Sequence, residues 1–230
     1  MTDAGEFLEG MVKSGTMILI SEIGDKTFFI AAIMAMRHSR ATVFAGAIGA
    51  LGVMTALSAA LGWAAPSLIS KTYTHYFAIA LFFFFGLRSL YESLVAWDGG
   101  GMEEELAETE AELSEGKRGG KGRKANAATG WQRALSLGGI LSPVLVETFV
   151  ITFLAEWGDR SQIATIGLAA SSDPYGVTLG GVLGHAVCTG AAVVGGKHLA
   201  AAVSERAVAI TGGALFVLFG LHALVSGVEE

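Results

Sequence analysis

Charge is scarce in this sequence and unevenly placed. Only 16% of the 230 residues are charged, and they crowd between Asp98 and Arg133, which leaves the remainder too apolar for a water-soluble domain. Cysteine is rarer still. With Cys188 alone, an intrachain disulfide is excluded and nothing is learnt about redox compartment; that residue reads as small and packed. Basic residues are missing from Met1 to Glu9, where Asp3, Glu6 and Glu9 stand, so this stretch lacks the basic n-region of a secretory signal. Glu-x-x-His pairs, which hold redox metals in di-metal membrane enzymes, are absent too. Neither an enzyme nor a nucleic-acid partner is expected.

What remains is long and apolar. Hydrophobic residues make up 52% of the chain, and a bilayer core about 30 Å thick needs roughly 20 of them per helix at about 1.5 Å rise. Six stretches meet that length, near 11–36, 41–63, 75–96, 141–170, 176–196 and 206–227. The expectation is an all-α integral membrane protein with six transmembrane helices, embedded in a lipid bilayer. The 32 glycines fall mostly in these stretches, where small residues let helix backbones come close. Trp63, Trp97, Tyr76 and Tyr175 stand near span ends, as interfacial anchors do.

The two halves of the chain repeat. Glu22 and Glu156 lie 134 residues apart, and the same offset joins Gly46 to Gly180, Thr55 to Thr189, Gly62 to Gly196, Ser70 to Ser204 and Phe85-Gly86-Leu87 to Phe219-Gly220-Leu221. Residues 1–97 form a first three-helix repeat, 98–133 a charged linker and 134–230 a second repeat. Three spans per repeat make the second enter the membrane from the opposite side, so the repeats are inverted. Lys and Arg accumulate on cytoplasmic loops. Arg37, Arg40, Lys117, Arg118, Lys121, Arg123, Lys124, Arg133, Lys197 and Arg206 follow spans 1, 3 and 5, against Lys13 and Lys71 on the other side. The long loop is therefore expected in the cytosol and both termini outside it. That loop runs from Glu103 through Glu115 as an acidic segment, then basic from Lys117 to Lys124. It reads as a solvated tether with a short helix around Leu106 to Leu113, or as a regulatory or cation-sensing segment.

Within the apolar stretches one acidic motif occurs twice, as Glu22-Ile23-Gly24-Asp25-Lys26-Thr27 and Glu156-Trp157-Gly158-Asp159-Arg160-Ser161. Ionisable residues in a bilayer cost at least about 2.5 kcal/mol each and so line cavities or pair with one another. Glu22 and Asp25, three residues apart, would share one helix face, as would Glu156 and Asp159. Gly24 and Gly158 remove bulk where the repeats would meet, or permit local unwinding. Inverted repeats bring such motifs together near the midplane.

Hard divalent cations take carboxylate, carbonyl and hydroxyl oxygens, which Glu22, Asp25, Thr27, Glu156, Asp159, Ser161 and Gln162 supply. No His or Cys lies in either motif, which argues against a dedicated zinc site. With Lys26 and Arg160 as charge-balancing bases, four carboxylates leave a net −2, neutralised by one divalent cation or two protons. Metal and proton then compete for the same oxygens, and exchange of one for the other is the expectation.

Other readings bear on the same residues. Glu22 with Lys26, and Glu156 with Arg160, suit intrahelical i,i+4 pairs, although these leave Asp25 and Asp159 without a purpose. Glu147, which corresponds to Lys13, is an interfacial carboxylate or a proton-path residue. His185, which corresponds to Leu51, is a packed histidine or a proton relay. Arg88 and Glu92 form an ordinary pair. A small organic solute of amino-acid type is the alternative cargo, and a passive channel the alternative mode. Oligomeric state leaves no signal in the sequence.

The doubled Glu-x-Gly-Asp-Lys/Arg-Thr/Ser resembles the signature of the Golgi-type Ca2+/Mn2+:H+ antiporters, the family of transmembrane protein 165 and its yeast, plastid and cyanobacterial relatives. Ser21 to Arg37, Phe82 to Leu87, Thr152 to Gln162 and Asp173 to Gly195 all carry the likeness. The resemblance implies transport of Mn2+ or Ca2+ as substrates, with no permanently bound cofactor, out of the cytosol into a Golgi or other secretory-pathway lumen in exchange for protons. It also implies that the functional acids are Glu22, Asp25, Glu156 and Asp159.

Overall fold

The computed structural model describes residues 4–68, 70–95, 102–118, 142–202 and 204–227, and among these all regular structure is α-helical. The helices are α1 (Ala4–Glu22), α2 (Lys26–Arg37), α3 (Arg40–Leu68), α4 (Lys71–Leu94), α5 (Met102–Arg118), α6 (Pro143–Ala155), α7 (Arg160–Ala169), α8 (Pro174–Ala202) and α9 (Glu205–Ser226). Helices α2, α3 and α4 start at 26, 40 and 71, and α7, α8 and α9 start at 160, 174 and 205, each 134 later. The helix starts therefore obey the sequence repeat.

Local chemistry sets several of these starts. Pro143 and Pro174 open α6 and α8, where a missing N–H costs nothing and φ is already helical. Asp173 accepts a hydrogen bond from the Gly176 amide at 2.7 Å, and Ser204 one from the Ala207 amide at 3.3 Å. Both satisfy amides that lack a partner in the first turn.

Four helical stretches are long and apolar enough to cross a bilayer: Arg40–Ser67, Thr72–Leu94, Pro174–Gly196 and Arg206–Ser226. They match the expected stretches near 41–63, 75–96, 176–196 and 206–227. The other two expected spans are not continuous helices. Residues 11–36 divide between α1 and α2, and 141–170 between α6 and α7. Both breaks fall on the acidic motifs.

Packing between halves is reciprocal. Helix α1 lies on α8 as α6 lies on α3, α2 lies on α8 as α7 lies on α3, and α3 meets α8 while α4 meets α9. Glycine makes the tightest of these approaches. A Cβ on Gly180 would collide with the Met11 carbonyl oxygen, and one on Gly46 with the Leu145 carbonyl oxygen; Met11 and Leu145 are themselves 134 apart. With no side chain between them, the backbones are in direct contact, the arrangement by which helices associate where lipid offers no hydrophobic drive.

The outer surface is apolar. Leu61, Phe77, Leu183 and Val194 are all more than 40% exposed, which suits acyl chains rather than water. Trp63, Tyr76 and Tyr175 are exposed as well, while Trp97 lies outside the described residues. Cys188 is buried, with its sulfur 3.7 Å from the Leu19 carbonyl oxygen, in keeping with a packed residue. The Arg88–Glu92 pair forms at 2.8 Å.

The acidic segment of the linker does contain a helix, α5, but it is not a freely solvated tether. Leu106 and Thr109 are buried, and Leu106 and Leu113 join a core that includes Phe28, Phe29, Val43 and Ala192. Of the basic stretch from Lys117 to Lys124, Lys117 and Arg118 end α5 and the rest lies outside the described residues.

Candidate functional site

Each motif occupies a turn between two helices. After Glu22 the chain leaves α1, passes through Gly24 at φ +83° and re-enters helix at Lys26; after Glu156 it passes through Gly158 at φ +84° and re-enters at Arg160. Positive φ of this kind favours glycine. The Asp25 amide bonds the Glu22 carbonyl at 3.2 Å and the Asp159 amide the Glu156 carbonyl at 3.1 Å, closing both turns alike. Asp25 and Asp159 then stand at the N-caps of α2 and α7.

This corrects one expectation. Glu22 and Asp25 do not share a face of one helix, because no single helix contains both. Of the two roles open to Gly24 and Gly158, removal of bulk or local unwinding, the structure has the unwinding. Intrahelical pairs Glu22–Lys26 and Glu156–Arg160 are likewise not formed. The Lys26 Nζ instead lies 2.7 Å from Glu112 Oε2 on α5, and Arg160 reaches across to the Ser21 carbonyl at 3.5 Å. Breaking the helix redirects both bases.

The turns meet. One carboxylate oxygen from each of Glu22, Asp25, Glu156 and Asp159 lies within 4.8 Å of the other three. Glu22 and Glu156 are each only 2% exposed, so water cannot screen them well. Matched hydroxyls attend them: Thr27 donates to Glu22 at 3.4 Å and Ser161 donates to Glu156 at 3.1 Å. The Ser161 amide also donates to Asp159 at 3.1 Å.

Two buried atoms in this region, Glu22 Oε1 and His185 Nδ1, have no hydrogen-bond partner among the described residues. A buried carboxylate oxygen with no protein donor keeps its lone pairs available to a hard cation. His185 Nδ1 stands 3.8 Å from Glu22 Oε2, beyond hydrogen-bond length, so the histidine belongs to the site's wall.

Gln162 directs its side-chain oxygen to the Gly158 amide at 3.2 Å, bracing the turn in this conformation. It also lines a small cavity with Glu156, Ser161, Thr165, His185, Leu51, Met54, Thr55 and Ser58. The wall from α3 was not anticipated as part of the site. Its sequence signal is Leu51, Thr55 and Ser58 at helical spacing on one face. Glu147, half-buried on α6, is not one of the clustered carboxylates.

Electrostatics decides what this arrangement can do. Two unit charges 4.8 Å apart repel by about 3.5 kcal/mol at an effective dielectric of about 20. Four such groups need neutralisation by cations or protons. Their ligand atoms are all oxygens, the set that hard divalent cations prefer.

A family model described as "Divalent cation/proton antiporter GDT1" matches residues 10–97 and 144–230. GDT1-like protein 5 of Arabidopsis thaliana is 50% identical over 98% of this chain and 99% of its own length. GDT1-like protein 4 of the same plant is 51% identical over 96% and 98%. GDT1-like protein 5 of Oryza sativa subsp. japonica is 50% identical over 98% of both. No solved structure matches.

Proposed function

Because the chain belongs to the GDT1 divalent cation/proton antiporter family, we propose that it moves Mn2+ and/or Ca2+ out of the cytosol into an organelle lumen, in exchange for protons, through the four clustered carboxylates. The observation that carries this reading is their convergence within 4.8 Å. Glu22, Asp25, Glu156 and Asp159 hold the cation, with Thr27, Ser161 and Gln162 completing the oxygen set. Lys26 and Arg160 adjust the charge, and His185 and Glu147 are the candidate proton-path residues.

Exchange follows from competition. A proton and a metal ion cannot occupy the same carboxylate oxygen, so loading one releases the other, with about two protons per cation as the upper expectation from charge. Alternating exposure of one such site to two sides couples the flows.

The architecture in this reading is six spans in two inverted repeats, 1–97 and 134–230, joined by the linker 98–133. The four long helices are four of the spans, and α1 with α2 and α6 with α7 make up the broken remaining two. Half-helix ends facing a midplane site are the arrangement by which transporters expose backbone and acid groups to an ion. The basic residues that follow the odd spans put the linker in the cytosol. The membrane is that of the Golgi or another secretory compartment.

The test is metal uptake into proteoliposomes under an imposed pH gradient. Wild type is expected to take up Mn2+ and Ca2+ faster as the gradient steepens, and Glu22→Gln and Glu156→Gln to lose at least about tenfold of that rate. Uptake indifferent to the gradient, or normal in both variants, would refute the reading.

A further inference from the structure

Helix α5 lies across α2, and two ion pairs bind it there. Glu112 takes Lys26 at 2.7 Å and Glu110 takes Arg37 at 2.9 Å. Lys26 and Arg37 are the first and last residues of α2, about 16 Å apart at 1.5 Å per residue. Their partners are two residues apart on α5, on opposite sides of that helix. Only a crossing between the two bases satisfies both pairs.

Beneath the crossing lies a buried apolar core built on α2. The cavity beside Glu156 runs along Thr55 and Ser58 of α3 and Gln162 and Thr165 of α7. The position that corresponds to Gln162 in the other half is Phe28, buried and set edge-to-face on Phe29 with ring centroids 5.9 Å apart. Polar side chains and open space thus adjoin the site on the α7 side, while aromatic rings fill the α2 side. Leu106 and Leu113 of α5 seat into the same core as those rings.

We propose that α5 is a removable strap that closes the carboxylate site on the α2 side, latched by Glu112 on Lys26 and Glu110 on Arg37. This rests on the four carboxylates being the transport site. Both pairs are only partly buried, so parting them strands no fully buried charge, as suits a latch that opens in each cycle. Lys26 is also a motif base. While Glu112 holds it, its ammonium group is turned outward to α5, so the charge at the site and the position of the strap are linked.

The experiment reads docking and transport separately in the full-length protein in proteoliposomes. Deuterium exchange of amides 102–114 is compared between wild type and Glu110→Gln/Glu112→Gln, alongside initial rates of Mn2+ uptake. At least tenfold faster exchange and a several-fold faster uptake are expected in the double variant. Arg37→Glu should loosen the strap in the same way, and adding Glu110→Arg to it should restore both readouts. Equal protection in the glutamine variant, or loosened amides with unchanged uptake, overturns the strap. A wild type that carries no cation, beside the expected exchange changes, overturns the transport reading and with it the role in closure.

Discussion

Gly24 and Gly158 share one positive φ, +83° and +84°, and each stands between the two acids of its motif. No Cβ built on Gly158 meets any atom within 4 Å, so a substitution there probes backbone conformation alone.

Gly158→Ala is therefore expected to destabilise the protein by about 1–2 kcal/mol, the cost of placing a Cβ at positive φ. Gly158→Asn should cost less, because asparagine tolerates that region. Thermal melting in detergent of the three proteins checks this; an alanine variant as stable as wild type would mean that the turn relaxes without the glycine.

The hydroxyls should differ in strength. Ser161 reaches Glu156 at 3.1 Å, whereas Thr27 reaches Glu22 at 3.4 Å, and hydrogen bonds to charged groups contribute about 1.5–3 kcal/mol when well made. Ser161→Ala is expected to weaken Mn2+ affinity roughly tenfold, and Thr27→Val less, given that about 1.4 kcal/mol is one decade. Calorimetric titration decides it, and the reverse order would contradict the geometry.

Much of this was legible in the sequence, and the reason is repetition. The offset of 134 reappears in the helix starts and in the reciprocal contacts of Gly46 and Gly180, because two related segments fold by the same local rules. The convergence of the acids was legible too, since four carboxylates in apolar stretches have few places to go. The helix breaks were legible only as one of two alternatives at Gly24 and Gly158. Glu-x-Gly-Asp fits a continuous helix and an unwound turn equally well, and only the positive φ at Gly24 and Gly158 separates them. The docking of α5 was hidden for another reason: Lys26 and Glu112 are 86 residues apart, and a glutamate-rich helix resembles a solvated one. The spacing of Leu106, Thr109 and Leu113 along one face was the available sign.

Metal and proton should compete in stability as well as in transport. A cation that binds only the folded state at about 100 times its dissociation constant adds about 2.7 kcal/mol. Protons occupy the same carboxylate oxygens, so lowering the pH raises the apparent dissociation constant and shrinks the gain. The rise in melting temperature with Mn2+ is expected to be large at pH 8 and small at pH 6, and absent throughout in Glu156→Gln. A shift independent of pH would separate the metal site from the titrating one.

Where Gly180 lets α8 touch α1, and Gly46 lets α3 touch α6, backbone rests on backbone without an intervening rotamer. Such seams have no slack: they slide or hold as whole units and cannot yield by repacking a side chain. Deformation is left to the segments that have already given up their helical bonds, which are the stretches from Glu22 to Asp25 and from Glu156 to Asp159. The four clustered carboxylates thus ride on the joints of the molecule, and the levers on either side stay stiff.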